Sequence, residues 1–183
     1  MNLNNPLHKS LFRSGLFALL LLPQLTMALP SDREKPIEIE SDCARIDNGK
    51  GVSIYSGEVI MTQGTTRITG DKVTVYSTKN EVQKIIATGD TSRAYYEELQ
   101  PSDQGLLQAW GHTINYELAK DHIELIKNGE LKNNGDIFKG EIINYNISLQ
   151  TVNATSEKQE GSTRRVQMVI QPKPKSDNEP RKK

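Results

Sequence analysis

The 183-residue chain has few aromatic residues and almost no cysteine. Aromatic residues make up 5% of the sequence, and Trp110 is the single tryptophan. The only cysteine is Cys43, so no disulfide can form within the chain and stability must come from packed secondary structure. Cys43 is interpreted as a small residue near a strand, with an intermolecular disulfide or a reactive thiol as the alternatives. The core must be built mainly from isoleucine, valine and leucine.

The sequence also lacks an excess of either charge. It contains 23 basic and 23 acidic residues, for a net charge of zero. Residues 1–28 hold Lys9 and Arg13 and no acid, so removing them leaves 23 − 2 = 21 basic residues against 23 acidic ones, a net charge of −2. A nucleic-acid footprint needs a strongly basic stripe. We therefore predict no nucleic-acid partner.

No hydrophobic run is long enough to span a membrane. The longest, Gly15 to Leu22, follows two basic residues and is ended by a proline, whereas a transmembrane helix needs roughly 20 apolar residues. This is the anatomy of a secretory signal. We expect cleavage near Ala28, with an uncleaved membrane anchor as the alternative. A single domain is then expected over 29–171, and a disordered charged tail over 172–183.

Motifs that carry catalysis or metal binding are missing. Beyond the signal, His112 and His122 are the only histidines, and a zinc site needs three or four ligands. There is no Gly-x-Ser-x-Gly, phosphate loop or cysteine–histidine pairing. We therefore predict no enzymatic activity, no cofactor and no metal.

Carboxylates are the one catalytic resource that the chain has in quantity. Glu38 with Glu40, and Glu97 with Glu98, could in principle hydrolyse a glycosidic bond as a pair. Both pairs are interpreted more simply as solvated faces of strands.

What the sequence does contain is alternation of apolar and polar residues, most clearly from Gly57 to Tyr76. The apolar positions are Val59, Met61, Ile68, Val73 and Val75. A period of two predicts strands with one buried face. Strands recur every 8 to 12 residues, separated by turn signals such as Asn48-Gly49 and Asn128-Gly129, which predicts an all-β sandwich, barrel or roll.

Three segments repeat one pattern. Gly70-Asp-Lys-Val-Thr-Val, Gly111-His-Thr-Ile-Asn-Tyr and Gly140-Glu-Ile-Ile-Asn-Tyr each place large apolar residues three and five positions after a glycine. The repeat favours a rolled array of strand-turn units with glycines at its corners.

The predicted sheet has two weakly protected edges. The edge-strand residues are Ile37 and Ile39 near the start, and Val166, Met168 and Ile170 near the end. Open edges recruit other strands, so this pattern favours strand addition to a partner. The alternative is that the apolar interior is simply a core and the chain termini cover the edges.

Four segments carry a resemblance to a known family. They are Pro36-Ile-Glu-Ile-Glu-Ser-Asp42, Ser56-Gly-Glu-Val-Ile-Met-Thr-Gln-Gly64, Asp71-Lys-Val73 and Tyr116-Glu-Leu-Ala-Lys-Asp121. From about Pro36 to Ile170 the chain resembles the OstA-like family, the LptA-type periplasmic bridge proteins of lipopolysaccharide transport. The resemblance implies an open β-jellyroll, a twisted V of antiparallel strands with a hydrophobic groove and no catalysis.

The family also implies partners and a location. Copies of the chain would stack head-to-tail in the periplasm, with the C-terminal edge of one pairing with the N-terminal edge of the next. The stack would join an LptC-like protein of the inner membrane to the periplasmic domain of an LptD-like outer-membrane translocon. Lipopolysaccharide would travel along the groove with its lipid A acyl chains shielded from water.

The resemblance also implies which apolar residues line that groove. They are Ile37, Ile39, Ile54, Met61, Val75, Ile86, Tyr95, Ile114, Tyr116, Leu125 and Tyr145. Three other interpretations stay open at this point. The chain would be a bitopic inner-membrane partner of the same fold, a secreted β-solenoid polysaccharide hydrolase or lyase, or a structural adhesin module without a ligand.

Overall fold

A computed structural model describes residues 32–79, 81–100, 105–156 and 165–172. The predicted signal segment and the charged tail from residue 173 onward lie outside the described residues. No helix in the described part of the chain is long and apolar enough to cross a membrane.

The described residues form twelve β-strands, all paired antiparallel, and two short 3-10 helices at Asp32–Glu34 and Leu118–Lys120. The strands are β1 Ile37–Glu40, β2 Cys43–Asp47, β3 Val52–Gln63, β4 Thr66–Thr78, β5 Glu81–Thr88, β6 Ala94–Leu99, β7 Leu106–Gly111, β8 Thr113–Glu117, β9 His122–Asn133, β10 Asp136–Asn146, β11 Thr151–Thr155 and β12 Gln167–Val169.

Four long strands, β3, β4, β9 and β10, each take part in two layers. One half of each long strand pairs with β2, β5, β8 or β11, and we name this layer wall A. The other half pairs with β1, β6, β7 or β12, and we name this layer wall B. The walls face each other across a single hydrophobic core. This architecture confirms the predicted all-β jellyroll.

The long strands bend where they pass from one wall to the other, along a line that we name the seam. In β3, Gly57 and Glu58 have φ of 86° and 42°, and the register with β4 shifts between Ser56 and Val59. In β9, Lys127 and Asn128 have φ of 62° and 57°. Extra residues of this kind bend a strand and raise its twist.

The turn predicted at Asn128-Gly129 is therefore wrong. Gly129 stays paired with Gly140 of β10, so β9 continues through this point and only changes direction. Left-handed conformations suit both a tight turn and a bulge, and the sequence signal does not distinguish them.

The repeated glycines mark the seam. Gly70, Gly111 and Gly140 all lie where a strand enters wall A or ends beside it. The apolar residues three and five positions later point into the core. These are Val73, Val75, Ile114, Tyr116, Ile143 and Tyr145, and all six are buried. The repeat thus encodes the position of the bend and the face that follows it.

A turn precedes β11, and the last predicted strand is shorter in the structure. Residues 147–150 form a turn because the Ile147 amide donates to the carbonyl of Asp121 (2.8 Å) and the Leu149 amide donates to the side chain of Asn146 (2.7 Å). β11 begins only at Thr151. The last strand, predicted to extend to Ile170, ends at Val169.

We predict that Gly51→Ala destabilises the protein by about 3 kcal/mol or more. Gly51 has φ of 64°, and a Cβ there would lie 2.1 Å from the backbone oxygen of Ser77, which is itself fixed in β4. Gly105→Ala is the matched control, because Gly105 has φ of 71° but no atom within 4 Å of its added Cβ. It should cost only about 1–2 kcal/mol of backbone strain. Equal urea unfolding midpoints for the two variants would contradict the steric argument.

Candidate functional site

An unbroken row of apolar side chains crosses the inner face of wall B. Residues paired across antiparallel strands share a face, so the register defines the row directly. It contains Ile39, Met61, Ile68, Tyr96, Ala109, Leu131, Phe138 and Met168, one from each of eight strands. The row begins in β1 and ends in β12.

Wall A carries two parallel rows on its inner face. One contains Ala44, Tyr55, Val73, Ala87, Ile114, Leu125, Ile143 and Ala154. The other contains Val75, Ile85, Tyr116, Ile123, Tyr145 and Val152. The two walls together thus enclose an interior that is apolar across the whole width of the sheet.

Most of the predicted groove residues share this interior. They are Ile37, Ile39, Met61, Val75, Ile114, Tyr116, Leu125 and Tyr145. Whether they contact lipid stays a prediction. Their joint placement follows from the alternation that the sequence shows.

Ile54, Ile86 and Tyr95 are a correction to the predicted groove, because they do not share this face. Ile54 and Ile86 both pair with Thr74, which lies between the inward-facing Val73 and Val75. Their side chains therefore lie on the outer face of wall A. Because the period is two, an error of one residue moves a side chain to the other face.

The same one-residue error explains Tyr95. Tyr95 pairs with Trp110 on the outer face of wall B, and its neighbour Tyr96 is the aromatic residue that enters the interior, where it is fully buried. The predicted groove also omitted several other interior side chains. They are Ile68, Ile85, Leu107, Ile123, Leu131 and Ile143, and strict alternation from the confirmed positions would have found most of them.

The interior is closed along most of its length. Met61, Ile114, Leu125 and Tyr145 expose 2% or less of their surface, whereas Ile39 at the end of the row is half-buried. Tyr96 of wall B packs edge-to-face on Tyr116 of wall A, with ring centroids 5.3 Å apart. In this state the walls bury each other, and the expected open groove is filled by side chains.

Polar groups line the side opposite the seam, where the strands of both walls end in hairpin turns. We name this side the mouth. The Tyr96 hydroxyl donates to Glu98 (2.9 Å), and the amide of Asn133 donates to the Tyr145 hydroxyl (2.9 Å). Burial raises the pKa of Tyr96 well above its ordinary value, and the nearby Tyr116 and Glu98 raise it further. These hydroxyls are therefore neutral hydrogen-bonding groups above an apolar interior.

Both predicted edges are edges in the structure. Among the described residues, β1 pairs only with β3, and β12 pairs only with β10. Met168 and Ile170 expose 55% and 67% of their surface, and Val166 is half-buried. One side of each strand is thus unpaired within the described residues, as strand addition requires.

The carboxylates of Glu97 and Glu98 lie on opposite faces of β6 and do not face each other. Glu97 accepts from the Tyr95 hydroxyl (2.6 Å) on the outer face, and Glu98 accepts from Tyr96 on the inner face. Both are half-buried, so their interpretation as solvated groups is wrong for this pair. Within the described residues, no group of three or more histidine, cysteine or acidic side chains could hold a metal ion, and Cys43 is exposed.

The outer face of wall B carries a charged aromatic cluster. The Lys132 ammonium lies 4.9 Å from the Trp110 ring centroid, and Arg93 donates to Glu130 (3.2 Å). Burial alone would raise the pKa of Glu130. The hydrogen bond from Arg93 and the charges of Lys139, Arg93 and Lys132 outweigh it and hold the pKa below its ordinary value of 4.5.

Comparison with known proteins identifies the family. The family model described as "LptA/(LptD N-terminal domain) LPS transport protein" matches residues 38–151. The lipopolysaccharide export system protein LptH of Pseudomonas aeruginosa is 38% identical over 156 residues, which cover 83% of this chain and 88% of that protein. The chain belongs to this LptA family. LptA of Escherichia coli K12, also an export system protein, is 34% identical over 131 residues, covering 72% of this chain and 70% of the relative.

A solved structure of the LptA family shares the fold. The crystal structure is described as LptH, "the LptA homologous periplasmic component of the conserved lipopolysaccharide transport device from Pseudomonas aeruginosa". It superposes with a TM-score of 0.67 at 37% identity and covers 78% of this chain and 100% of that one. The predicted OstA-like jellyroll and the predicted resemblance are therefore confirmed.

We predict that Glu130→Gln costs on the order of 1 kcal/mol of stability at neutral pH. The folded-state pKa of Glu130 is lowered, so its stabilisation is complete above the unfolded-state pKa of 4.5 and is lost as the pH falls through the folded value. The stability difference between the wild type and the variant should therefore shrink below about pH 4.5. Urea unfolding across this range measures the difference.

Glu38→Gln serves as the control for that measurement, because Glu38 is an exposed carboxylate on β1. It corrects for the general effect of removing one negative charge. A difference for Glu130→Gln that stays constant from neutral to acidic pH would contradict the proposed electrostatic origin.

Proposed function

We propose that this chain is a periplasmic carrier of lipopolysaccharide. Its acyl chains would lie between walls A and B, and its sugars and phosphates would stay in water at the mouth. The family membership supports the ligand class, since relatives are named as lipopolysaccharide export proteins. The chain would act by binding and passing on its ligand, with no chemical step.

The observation that carries this proposal is the apolar row of wall B. It begins at Ile39 in one edge strand, ends at Met168 in the opposite edge strand, and contains no polar residue between them. A row that reaches both edges can join the corresponding row of a neighbouring copy.

Lipid binding would replace contacts between the two walls by contacts between the walls and the acyl chains. An acyl chain of ~12 carbons resists transfer to water by roughly 10 kcal/mol, at about 0.8 kcal/mol for each buried CH₂. Opening the walls exposes buried side chains such as Leu125 and Ile143, at a comparable cost for each methylene. The two terms oppose each other, so binding can be reversible enough for the lipid to move on.

Stacking would make the apolar rows continuous. We propose that β12 of one copy adds to β1 of the next, with main-chain hydrogen bonds that complete both edges. The ends of such a stack would meet an LptC-like inner-membrane protein and the periplasmic domain of an LptD-like translocon. The unpaired sides of β1 and β12 support this arrangement.

A photo-crosslinking side chain should capture lipopolysaccharide from the interior and fail to capture it from the outer face. We predict strong adducts from Ile39 and Met168, because both lie on the inner row. Ile86 is the matched control, since it is a half-buried isoleucine on the outer face of wall A. Purified variants are irradiated with lipopolysaccharide, and adducts are detected by their gel shift. Equal adducts from all three positions, or adducts from Ile86 alone, would exclude the interior as the binding site.

Edge pairing is tested by placing a charge on β12. We predict that Met168→Asp weakens self-association by about tenfold or more, because a carboxylate would be buried in the stacked interface. Leu99→Asp is the control, because Leu99 is 56% exposed against 55% for Met168 but ends the internal strand β6. Sedimentation at several concentrations measures association, and unchanged melting temperatures verify folding. If both variants associate like the wild type, β12 is not the pairing edge.

A further inference from the structure

The segment Asp32–Lys35 is bound to the end of wall B that lies at the mouth. The Asp32 carboxylate accepts from the amide of Thr65 (2.9 Å) and from its hydroxyl, at the turn between β3 and β4. The Gln63 amide donates to the carbonyls of Arg33 (3.1 Å) and Lys35 (3.0 Å). These bonds hold the backbone of the segment against one wall and leave the Arg33 side chain to reach elsewhere.

The Arg33 side chain crosses the mouth to wall A. Its guanidinium pairs with the carboxylate of Asp121, in the turn between β8 and β9. Burial raises the pKa of the nearby Tyr116 hydroxyl, and the Arg33 guanidinium lowers it. Asp121 is itself held in place, since its other carboxylate oxygen accepts from Ser148 and its carbonyl accepts from the amide of Ile147 (2.8 Å). Arg33 therefore connects wall B to wall A across the mouth.

A cavity lies beside this connection at the end of the mouth nearest β1. Its volume is about 610 Å³, within the usual range for ligand pockets. Ile37, Val82 and Leu118 contribute apolar surface to its lining. Arg33 and Lys35 contribute two positive charges, and Glu81 contributes one negative charge. Apolar surface beside a net positive charge matches an amphiphile that has acyl chains and an anionic head group.

We propose that Arg33 is a strap that holds the mouth of the interior shut, and that an anionic group of the incoming amphiphile replaces Asp121 as its partner when the walls separate. This inference rests on the proposed lipid-carrying function. It concerns how the same interior is opened. It predicts that both residues of the ion pair slow opening and that only Arg33 contributes to lipopolysaccharide affinity.

The ion pair has the properties of a contact that a ligand can break. The Arg33 and Asp121 side chains are 46% and 31% exposed, and exposed ion pairs contribute little to stability. A guanidinium binds phosphate or carboxylate in a bidentate manner with charge-assisted hydrogen bonds. If the anionic group of the ligand replaces the Asp121 carboxylate, Arg33 stays paired and wall A is released from it.

The test compares uptake of two fluorescent probes by the full purified chain. N-phenyl-1-naphthylamine is apolar and uncharged, so its uptake rate reports opening alone. Fluorophore-labelled lipopolysaccharide reports opening together with anion recognition. We expect Asp121→Asn and Arg33→Gln each to accelerate uptake of the neutral probe by about two- to fivefold, the range that loss of an exposed ion pair permits.

The two variants should differ with labelled lipopolysaccharide. Asp121→Asn keeps the Arg33 cation, so its affinity should be at least that of the wild type. Arg33→Gln removes the cation, so its affinity should fall by roughly three- to tenfold. The double reversal Arg33→Asp with Asp121→Arg should restore slow uptake of the neutral probe, which shows that both variants act through the pair.

Glu117→Gln is the matched control. Glu117 pairs with Lys120 in the same turn as Asp121, and this ion pair stays within wall A. If Asp121→Asn and Arg33→Gln match Glu117→Gln in neutral-probe uptake, or if both weaken lipopolysaccharide binding equally, the strap is excluded. A different result separates the two proposals. If Asp121→Asn and Arg33→Gln take up the neutral probe faster than Glu117→Gln, but neither the wild type nor any variant binds lipopolysaccharide, the proposed cargo is excluded and the strap is retained.

Discussion

Side-chain alternation along antiparallel strands is the constraint on which the rest of this structure depends. Each long strand crosses from wall A to wall B, and its apolar positions must face inward on both sides of the bend. The bulge at Gly57 and Glu58 and the left-handed residues Lys127 and Asn128 let the chain turn at the seam. A regular strand would lack the extra residues that make the bend. Without the bend, two flat sheets would each expose an apolar face.

The proposed function requires an interior that serves both as a core and as a binding surface. Residues such as Leu125 and Ile143 are completely buried, so the two walls remove each other's apolar surface from water. A lipid carrier without its cargo faces this problem generally, because a permanently open apolar groove would collapse or aggregate. Here the two walls close on each other, and the hydroxyls of Tyr96 and Tyr145 mark the boundary between the apolar interior and water.

The two edge strands of the sheet differ from its central strands in their backbone pairing. Central strands are paired on both sides, whereas β1 and β12 each leave one side unpaired within the described residues. Apolar side chains at these edges, Ile39 and Met168, continue the inner row without a polar break. Unpaired backbone and continuous apolar surface at the same place favour addition of another strand of similar pattern.

The sequence by itself determined the fold class, most strand positions and the interior face of eight of the eleven expected groove residues. It could do so because a period of two is a local property, and because glycines such as Gly70 and Gly140 mark the bends locally. The tertiary structure alone decided the rest. It placed Tyr96 inward and Tyr95 outward, since pairing register between distant strands fixes the face. It also joined Arg33 to Asp121 across 88 residues, a contact that depends on how two walls meet and that no local pattern contains.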